Sequence, residues 1–123
     1  MGKPILCLDF DGVCHSYTSG WQGVTVIPDP PVNGAFAFII NALNHFEVHI
    51  FSSRSNRPGG RGAMQDWFIE HGWPGTYLTG PEYLYFPTEK PAAFLTIDDR
   101  ALTFTGIWPD VDKLKEFKPW WYE

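Results

Sequence analysis

Three short runs of apolar residues, each followed by polar side chains, form the first pattern along the chain. Ile5–Leu8 reads ILCL, 47–53 reads EVHIFSS, and 93–97 reads AFLTI. A brief, continuous apolar run bounded by polar or turn residues is typical of a strand that is covered on both faces in a parallel sheet. The pattern therefore predicts three strands, and the first two of them are predicted to be buried.

Elsewhere the apolar residues recur at three- and four-residue spacing, which indicates the packed face of an α-helix. One helix is predicted after Val32, and a second ends at Gly72, which offers a C-terminal stop. The run 102–107 (LTFTGI) suggests a fourth strand before a last, short helix. The predicted packed faces are Phe36, Ile39, Ile40, Leu43 and Phe46 in the first helix, Met64, Trp67, Phe68 and His71 in the second, and Val111, Leu114 and Phe117 in the third.

Strands that alternate with helices predict an α/β fold, in which right-handed crossovers build a parallel sheet. The expected architecture is a three-layer, Rossmann-like sheet with helices on both faces. A single domain at 1–123 is predicted, because a chain of this length forms one hydrophobic core. Gly and Pro residues interrupt 12–31, which predicts a loop or small flap, and 73–89 is predicted to be irregular.

Composition narrows the class of protein. Nine basic and fourteen acidic residues give a formal net charge of −5, which disfavours binding to extended nucleic acid or to anionic lipid, although a local basic patch stays open. No apolar run approaches the roughly eighteen residues that span a bilayer, and no signal peptide is recognisable. Cys7 and Cys14 lack paired metal-ligand spacing, which favours reduced thiols. We therefore expect a cytoplasmic protein with no membrane partner.

Polar side chains follow each predicted strand where it ends. Asp9 and Asp11 follow the first strand, 52–54 (SSR) the second, and 98–100 (DDR) the third. In open parallel sheets, ligands bind beyond the carboxyl ends of the strands. Side chains alternate along an extended segment, so Asp9 and Asp11 are expected to face the same side. Carboxylates held this close repel each other unless a cation lies between them, and hard oxygen ligands favour Mg²⁺.

The same edge offers the groups that phosphoryl transfer requires. A carboxylate can attack phosphorus and form an aspartyl-phosphate, which water then hydrolyses. Such a site also needs a metal ion, positive charge and donors to the phosphate oxygens. Ser52 and Ser53 supply hydroxyl and backbone donors at a strand end, and Lys90 lies eight residues before Asp98. These residue types in this order predict a phosphoryl-transfer site.

Four segments in order, DFDGV, FSSR, KPAAF and IDDRA, resemble the four motifs of the haloacid dehalogenase (HAD) superfamily, whose members are mostly Mg²⁺-dependent phosphohydrolases. The resemblance extends from Leu6 to Ala101. The triplet at 52–54 and the IDDR run look most like the 3′-phosphatase domains of polynucleotide kinases. The resemblance implies an HAD-like fold and a phosphatase that acts through an aspartyl-phosphate, with a nucleotide or a phosphorylated nucleic-acid end as substrate.

The resemblance also implies a role for each matching residue. Asp9 would be the nucleophile, and Asp11 would protonate the leaving oxygen and later deprotonate water. Lys90 would neutralise charge at Asp9. The implied Mg²⁺ ligands are Asp9, Asp11 through its backbone carbonyl, Asp98 and Asp99, the last directly or through water. The implied phosphate- or substrate-binding residues are Ser52, Ser53 and Arg54.

Many members of this superfamily carry a cap domain that confers specificity. Here about twenty flap residues precede the first helix, and thirty-five residues separate Arg54 from Lys90. The resemblance therefore implies a capless enzyme, whose open site accepts a large substrate or borrows a neighbouring subunit as a lid. The substrate, the oligomeric state and the closure of the flap stay open.

Two other functions fit parts of the pattern. A receiver module also combines an α/β sheet with an acidic pair, a Ser or Thr and a Lys, but its phosphorylated Asp ends a mid-chain strand, where this chain has Ser52. A catalytically silent phosphate-binding module would have the same fold but would not catalyse a reaction. Simpler explanations for single residues are capping for Ser53 and Asp99, ordinary solvation for Lys90, Arg54, Arg57 and Arg61, and a polar loop position for His15.

Overall fold

The structure, a computed structural model, describes residues 2–74 and 83–122. Within these ranges three strands form one parallel sheet in the order β2-β1-β3. The elements along the chain are β1 (Ile5–Leu8), α1 (Ala35–Ala42), β2 (Glu47–Ile50), α2 (Gly60–Glu70), β3 (Leu95–Ile97) and α3 (Val111–Leu114). The chain is therefore an α/β protein with a small parallel sheet, as the alternation of patterns predicted.

β1 is the central strand, and its sequence explains why. Leu6 and Leu8 face one side of the sheet and Cys7 faces the other, and all three side chains are buried. Leu8 is level with Ile50 of β2 and with Ile97 of β3. The carboxyl ends of the three strands are therefore level, and the residues that follow them meet at one edge of the sheet.

The hydrophobic core joins β1 and β2 to α1 and α2. The Trp67 ring makes edge contacts with Phe10 and Phe68, at centroid distances of 5.0 and 5.2 Å. Met64 and Ile39 are also fully buried in this cluster. These contacts hold the loop after β1, which carries Phe10, against α2.

Two residues of the packed faces predicted for α1 and α2 are exposed instead. Ile40 is 40% exposed, because it lies about 100° around α1 from Ile39 and about 160° from Ala42, the two buried residues of that helix. His71 is exposed as well, since α2 ends at Glu70 and His71 is only its C-cap. The buried face of each helix is therefore narrower than predicted.

The later part of the chain departs further from the prediction. Leu95 and Ile97 are 53% and 36% exposed, because β3 lies at the edge of the sheet and pairs with β1 alone. In the described chain, 102–107 forms no strand and Gly106 has a left-handed φ of 97°. α3 is a single turn, and none of its residues is buried. Its predicted packed residues Val111, Leu114 and Phe117 are all exposed.

Residues 12–31 form a loop, as predicted, and His15 makes isolated bridges with Asp11 and Pro31 inside it. The segment 73–89, predicted to be irregular, lies partly outside the described residues. Its described parts contain only an isolated bridge, from Tyr85 to His49. Across the described ranges, every helix is too short or too polar to cross a membrane.

Candidate metal and phosphate site

An acidic cluster lies at the carboxyl edge of the sheet. Asp9 follows β1, and Asp98 and Asp99 follow the adjacent strand β3. Because Leu8 is level with Ile97, the two loops leave the sheet side by side. Each of the three carboxylates offers an oxygen, and these oxygens all lie within 4.8 Å of one another. The structure thus brings together the three residues that were predicted to bind the metal through their side chains.

The electrostatics of Asp9 reflect this crowding. Burial raises the pKa of Asp9 to about 8, and a hydrogen bond with Asp99 and the charge of Asp98 act in the same direction. The backbone N–H of Phe10 donates to Asp9 Oδ1 at 2.8 Å and opposes the increase. Asp9 therefore retains a proton near neutral pH unless a cation stabilises the carboxylate.

A small cavity of about 190 Å³ adjoins Asp9 and contains most of the other predicted residues. Ser52 and Ser53 enter from the loop after β2, and Lys90 enters from the segment before β3. Ser52 is buried and Ser53 is exposed. The cavity is lined by Cys7, Asp9, Phe51, Ser52, Ser53, Lys90, Thr96 and Asp98.

The local turn after β2 explains how Ser52 is held. Its hydroxyl oxygen accepts from the backbone N–H of Arg54 at 2.9 Å, and its own N–H donates to the Ser55 hydroxyl at 2.9 Å. The Ser52 hydroxyl hydrogen stays free to donate. Side chain and backbone are thus fixed by the turn, while one donor remains for an anion.

Asp11 belongs to a different group of charges from Asp9. Its Oδ2 accepts from Arg54 Nε at 2.9 Å, and its Oδ1 accepts from Arg54 Nη2 at 3.1 Å and from His15 Nδ1 at 2.8 Å. Burial alone would raise the pKa of Asp11, but the hydrogen bonds from His15 and Arg54 outweigh it and lower the pKa. The two carboxylates that the sequence placed at one site therefore have opposite environments.

Arg54 is an internal residue that contacts the loop 12–31. Its side chain is fully buried, and Nη1 donates to the carbonyls of Gly23 and Val24 at 2.7 Å each. The guanidinium also stacks 4.5 Å from the ring of Trp21. Arg54 thus ties the loop 12–31 to Asp11, and its role as a phosphate or substrate contact stays a prediction.

His15 is a site residue that the sequence argument passed over. Its ring is fully buried, and Nε2 accepts from the backbone N–H of Asp29 at 3.1 Å. The proton must then be on Nδ1, which donates to Asp11. The four-residue spacing between Asp11 and His15 was the one feature of the sequence that could have indicated their hydrogen bond. That spacing implies a contact only when the path of the loop is known.

A tryptophan pair also contacts the loops that carry the acidic cluster, and no sequence pattern had suggested it. Trp121 Nε1 donates to Asp99 Oδ2, and Trp120 Nε1 donates to the carbonyl of Gly12. Both contacts cross long separations along the chain, so neither spacing nor periodicity reveals them.

The chain matches no protein-family model, no curated protein and no solved structure. The likeness to HAD phosphatases therefore rests on its four motifs, and the activity that it implies is a proposal about this site.

Proposed function

We propose that the protein is a Mg²⁺-dependent phosphohydrolase that cleaves phosphomonoesters through an aspartyl-phosphate on Asp9. The cavity beside Asp9 carries the proposal, because it combines a crowded carboxylate, a serine with a free hydroxyl donor and a lysine. Its volume of about 190 Å³ suits a phosphoryl group better than a whole organic substrate. The rest of the substrate would then extend from the open edge of the sheet.

The chemistry of the donor set fits a divalent cation. Asp9, Asp98 and Asp99 supply hard oxygen ligands within 4.8 Å of one another, and such ligands suit Mg²⁺. These three residues would hold the ion, with the backbone carbonyl of Asp11 as a further ligand. When bound, the ion neutralises negative charge on the phosphoryl oxygens and on the cluster.

The proposed reaction has two displacements at phosphorus. A carboxylate oxygen of Asp9 forms a bond to phosphorus, the bond to the alcohol oxygen breaks, and the alcohol takes a proton from the carboxyl group of Asp11. Water then gives one of its own protons to Asp11 and forms a bond to phosphorus, the bond between phosphorus and Asp9 breaks, and inorganic phosphate is released. Ser52 and Lys90 hold the phosphoryl oxygens and balance their charge.

The finer architecture and location form part of the proposal. We infer a capless, HAD-like, three-layer domain in the cytoplasm, with the loop 12–31 as its flap. The order of the four motifs supports this inference, as do the parallel strands that carry three of them.

The proposed substrate is a nucleotide or the phosphorylated end of a nucleic acid. A larger groove of about 860 Å³ begins at Arg100, the residue after Asp99. Its lining includes Lys113, Lys115 and Lys118 together with aromatic rings such as Phe117. Local positive charge next to aromatic surface suits a short phosphodiester segment, even though the net charge of −5 disfavours long polymers.

One observation favours a second candidate, a phosphate-binding module without turnover. Arg54 and His15 hold Asp11 in its ionised form, and an ionised carboxylate cannot protonate a leaving group. In this alternative Asp9 binds or accepts a phosphoryl group that is not released.

Hydrolysis of p-nitrophenyl phosphate with and without Mg²⁺ tests the proposal. We expect turnover with Mg²⁺, loss after chelation, and a decrease of about a thousandfold or more in Asp9→Asn. The matched control is Asp66→Asn, because Asp66 is an exposed acid on α2. Equal activity in the two variants would exclude Asp9 as nucleophile.

The same assay separates the two candidates and narrows the substrate. Stoichiometric, acid-labile phosphate on Asp9 without turnover would support the binding module. A panel of mononucleotides, sugar phosphates and 3′- or 5′-phosphorylated oligonucleotides then identifies the substrate class. Turnover of sugar phosphates alone would exclude the nucleic-acid end.

A further inference from the structure

Two neighbouring tryptophans reach the two loops that carry the acidic cluster. Trp121 Nε1 donates to Asp99 Oδ2 at 2.5 Å, and Trp120 Nε1 donates to the Gly12 carbonyl at 2.6 Å. Gly12 belongs to the loop after β1 and Asp99 to the loop after β3. One dipeptide therefore bridges both sides of the cluster.

The contact with Asp99 bears on metal binding. An indole N–H can only donate, so it fixes Oδ2 of the Asp99 carboxylate and leaves Oδ1 without that contact. Residues that hydrogen-bond to metal ligands hold those ligands in the binding geometry. Without the indole, Asp99 would have to be ordered each time the ion binds, at a cost in side-chain entropy.

Other side chains hold the indole of Trp121 in place. The ring of Tyr17 meets it edge-on at 4.9 Å and 90°, and the guanidinium of Arg100 lies 5.2 Å from its centroid. Tyr17 has a φ of 63°, a left-handed conformation that is uncommon for residues other than glycine. Two separate segments thus contribute to the position of one ring.

Trp121 and Asp99 also pack closely against Gly12 in the loop after β1. A Cβ atom on Gly12 would lie 2.6 Å from Trp121 Nε1 and 2.8 Å from Asp99 Cγ. The indole and the carboxylate therefore pack directly on a glycine that has no side chain to obstruct them.

From these contacts we infer that Trp120 and Trp121 form a clamp that joins the two loops, and that Trp121 is a positioning residue for Asp99. The clamp adds a structural detail to the proposed function. Its positioning role rests on one part of that function, the binding of Mg²⁺ by the acidic cluster. It adds two residues to the site that neither the motifs nor the phosphoryl chemistry contain.

Calorimetric titration with Mg²⁺ tests the positioning role. Trp121→Phe keeps an aromatic ring and removes the N–H donor, and we expect its Mg²⁺ affinity to fall about tenfold to a hundredfold. The matched control is Trp108→Phe, because Trp108 is 82% exposed and contacts Phe104 instead of the site. Equal Mg²⁺ affinity in wild type and in a folded Trp121→Phe variant would overturn the inference and leave the proposed function intact.

A second measurement tests the clamp without any metal. In ¹H–¹⁵N spectra of the metal-free protein, each indole N–H gives its own signal, which single Trp→Phe variants assign. We expect Asp99→Ala to shift the Trp121 signal and to leave the Trp108 signal in place. An unchanged Trp121 signal would refute the clamp. Failure of the wild-type protein to bind Mg²⁺ would refute the proposed function, and the signal of Trp121 alone would then decide whether the clamp exists.

Discussion

At the scale of single residues, Asp9 and Asp11 show how strongly environment separates two identical side chains. They are one residue apart, yet burial and the neighbouring Asp99 raise the pKa of Asp9 to about 8. The hydrogen bonds from His15 and Arg54 lower the pKa of Asp11 despite its burial. In the metal-free protein this order is the reverse of what a nucleophile at Asp9 and a general acid at Asp11 require, so the proposed roles depend on a cation that lowers the pKa of Asp9 and on a proton at Asp11.

The pKa of Asp9 predicts a pH-dependent stability for the metal-free protein. Since the folded-state pKa lies above the ordinary 3.8, the protonated carboxyl stabilises the fold below about pH 4. That contribution is lost as the pH rises through about 8. The free energy of unfolding should therefore fall by up to about 1.4 kcal/mol for each pH unit in this range.

Urea unfolding between pH 5 and 8 measures this effect. Asp11 has the opposite sign, but its contribution changes only at and below its ordinary pKa of 3.8, outside the measured range. In Asp9→Asn we expect a shallower slope, and in wild type with Mg²⁺ the slope should also decrease. A slope that is unaltered by Asp9→Asn would rule out Asp9 as its source.

At the scale of elements, strand ends bring the site together and loops complete it. The sequence predicted β1 with its observed bounds, because ILCL is a continuous apolar run and the strand is buried on both faces. It also predicted that residues after β1, β2 and β3 meet at one edge, which follows from parallel pairing alone. Asp9, Ser52 and Asp98 could therefore be placed together from their positions after strands.

The contacts of Asp11 could not be predicted in the same way. Arg54 reaches Asp11 across 43 residues, and His15 is fixed by the backbone of Asp29. Both contacts depend on the path of the loop 12–31, which contains no regular element to fix its direction. The exposure of β3 could not be predicted either, since local hydrophobicity does not reveal whether another segment packs on an edge strand.

Gly12 tests the close packing of the loops after β1 and β3. Its φ is 83°, and any Cβ there would collide with Asp99 and Trp121. Gly12→Ala should therefore lower stability by more than the roughly 1–2 kcal/mol that left-handed strain costs a non-glycine residue. It should also weaken Mg²⁺ binding, because the carboxylate of Asp99 must move.

The matched control for this variant is Gly20→Ala. Gly20 has a similar φ of 72°, but a Cβ there meets no atom within 4 Å. Thermal unfolding and Mg²⁺ titration of both variants separate backbone strain from collision. Equal losses in the two proteins would contradict close packing at Gly12.

At the scale of the whole molecule, burial is distributed unevenly along the chain. The core cluster takes its residues from 6–86, whereas large apolar side chains after residue 93 are mostly exposed. Trp108 and Ile107 are 82% and 79% exposed, while Trp67 is 2% exposed. Most of the stability should therefore come from the first two strands and helices.

Two tryptophan substitutions measure this asymmetry. Trp67→Ala should cost about 3–5 kcal/mol, because it leaves a cavity beside Phe10 and Phe68 and removes the N–H that donates to the Asp29 carbonyl at 2.9 Å. Trp108→Ala should change the free energy of unfolding by at most about 0.5 kcal/mol. Comparable losses in urea unfolding would mean that 101–117 carries as much of the stability as the core.

The central position of β1 has a consequence for the order of folding. Pairing with β2 closes a loop of about forty residues, and pairing with β3 closes one of about ninety. Loop-closure entropy favours the shorter connection by roughly 0.6 kcal/mol for each doubling in length. Since β2 also brings most of the core with it, β1, α1 and β2 should assemble first and β3 should dock last. Asp98 and Asp99 arrive with β3, so the acidic cluster exists only once the final strand is in place, and a bound ion would favour that last step by mass action.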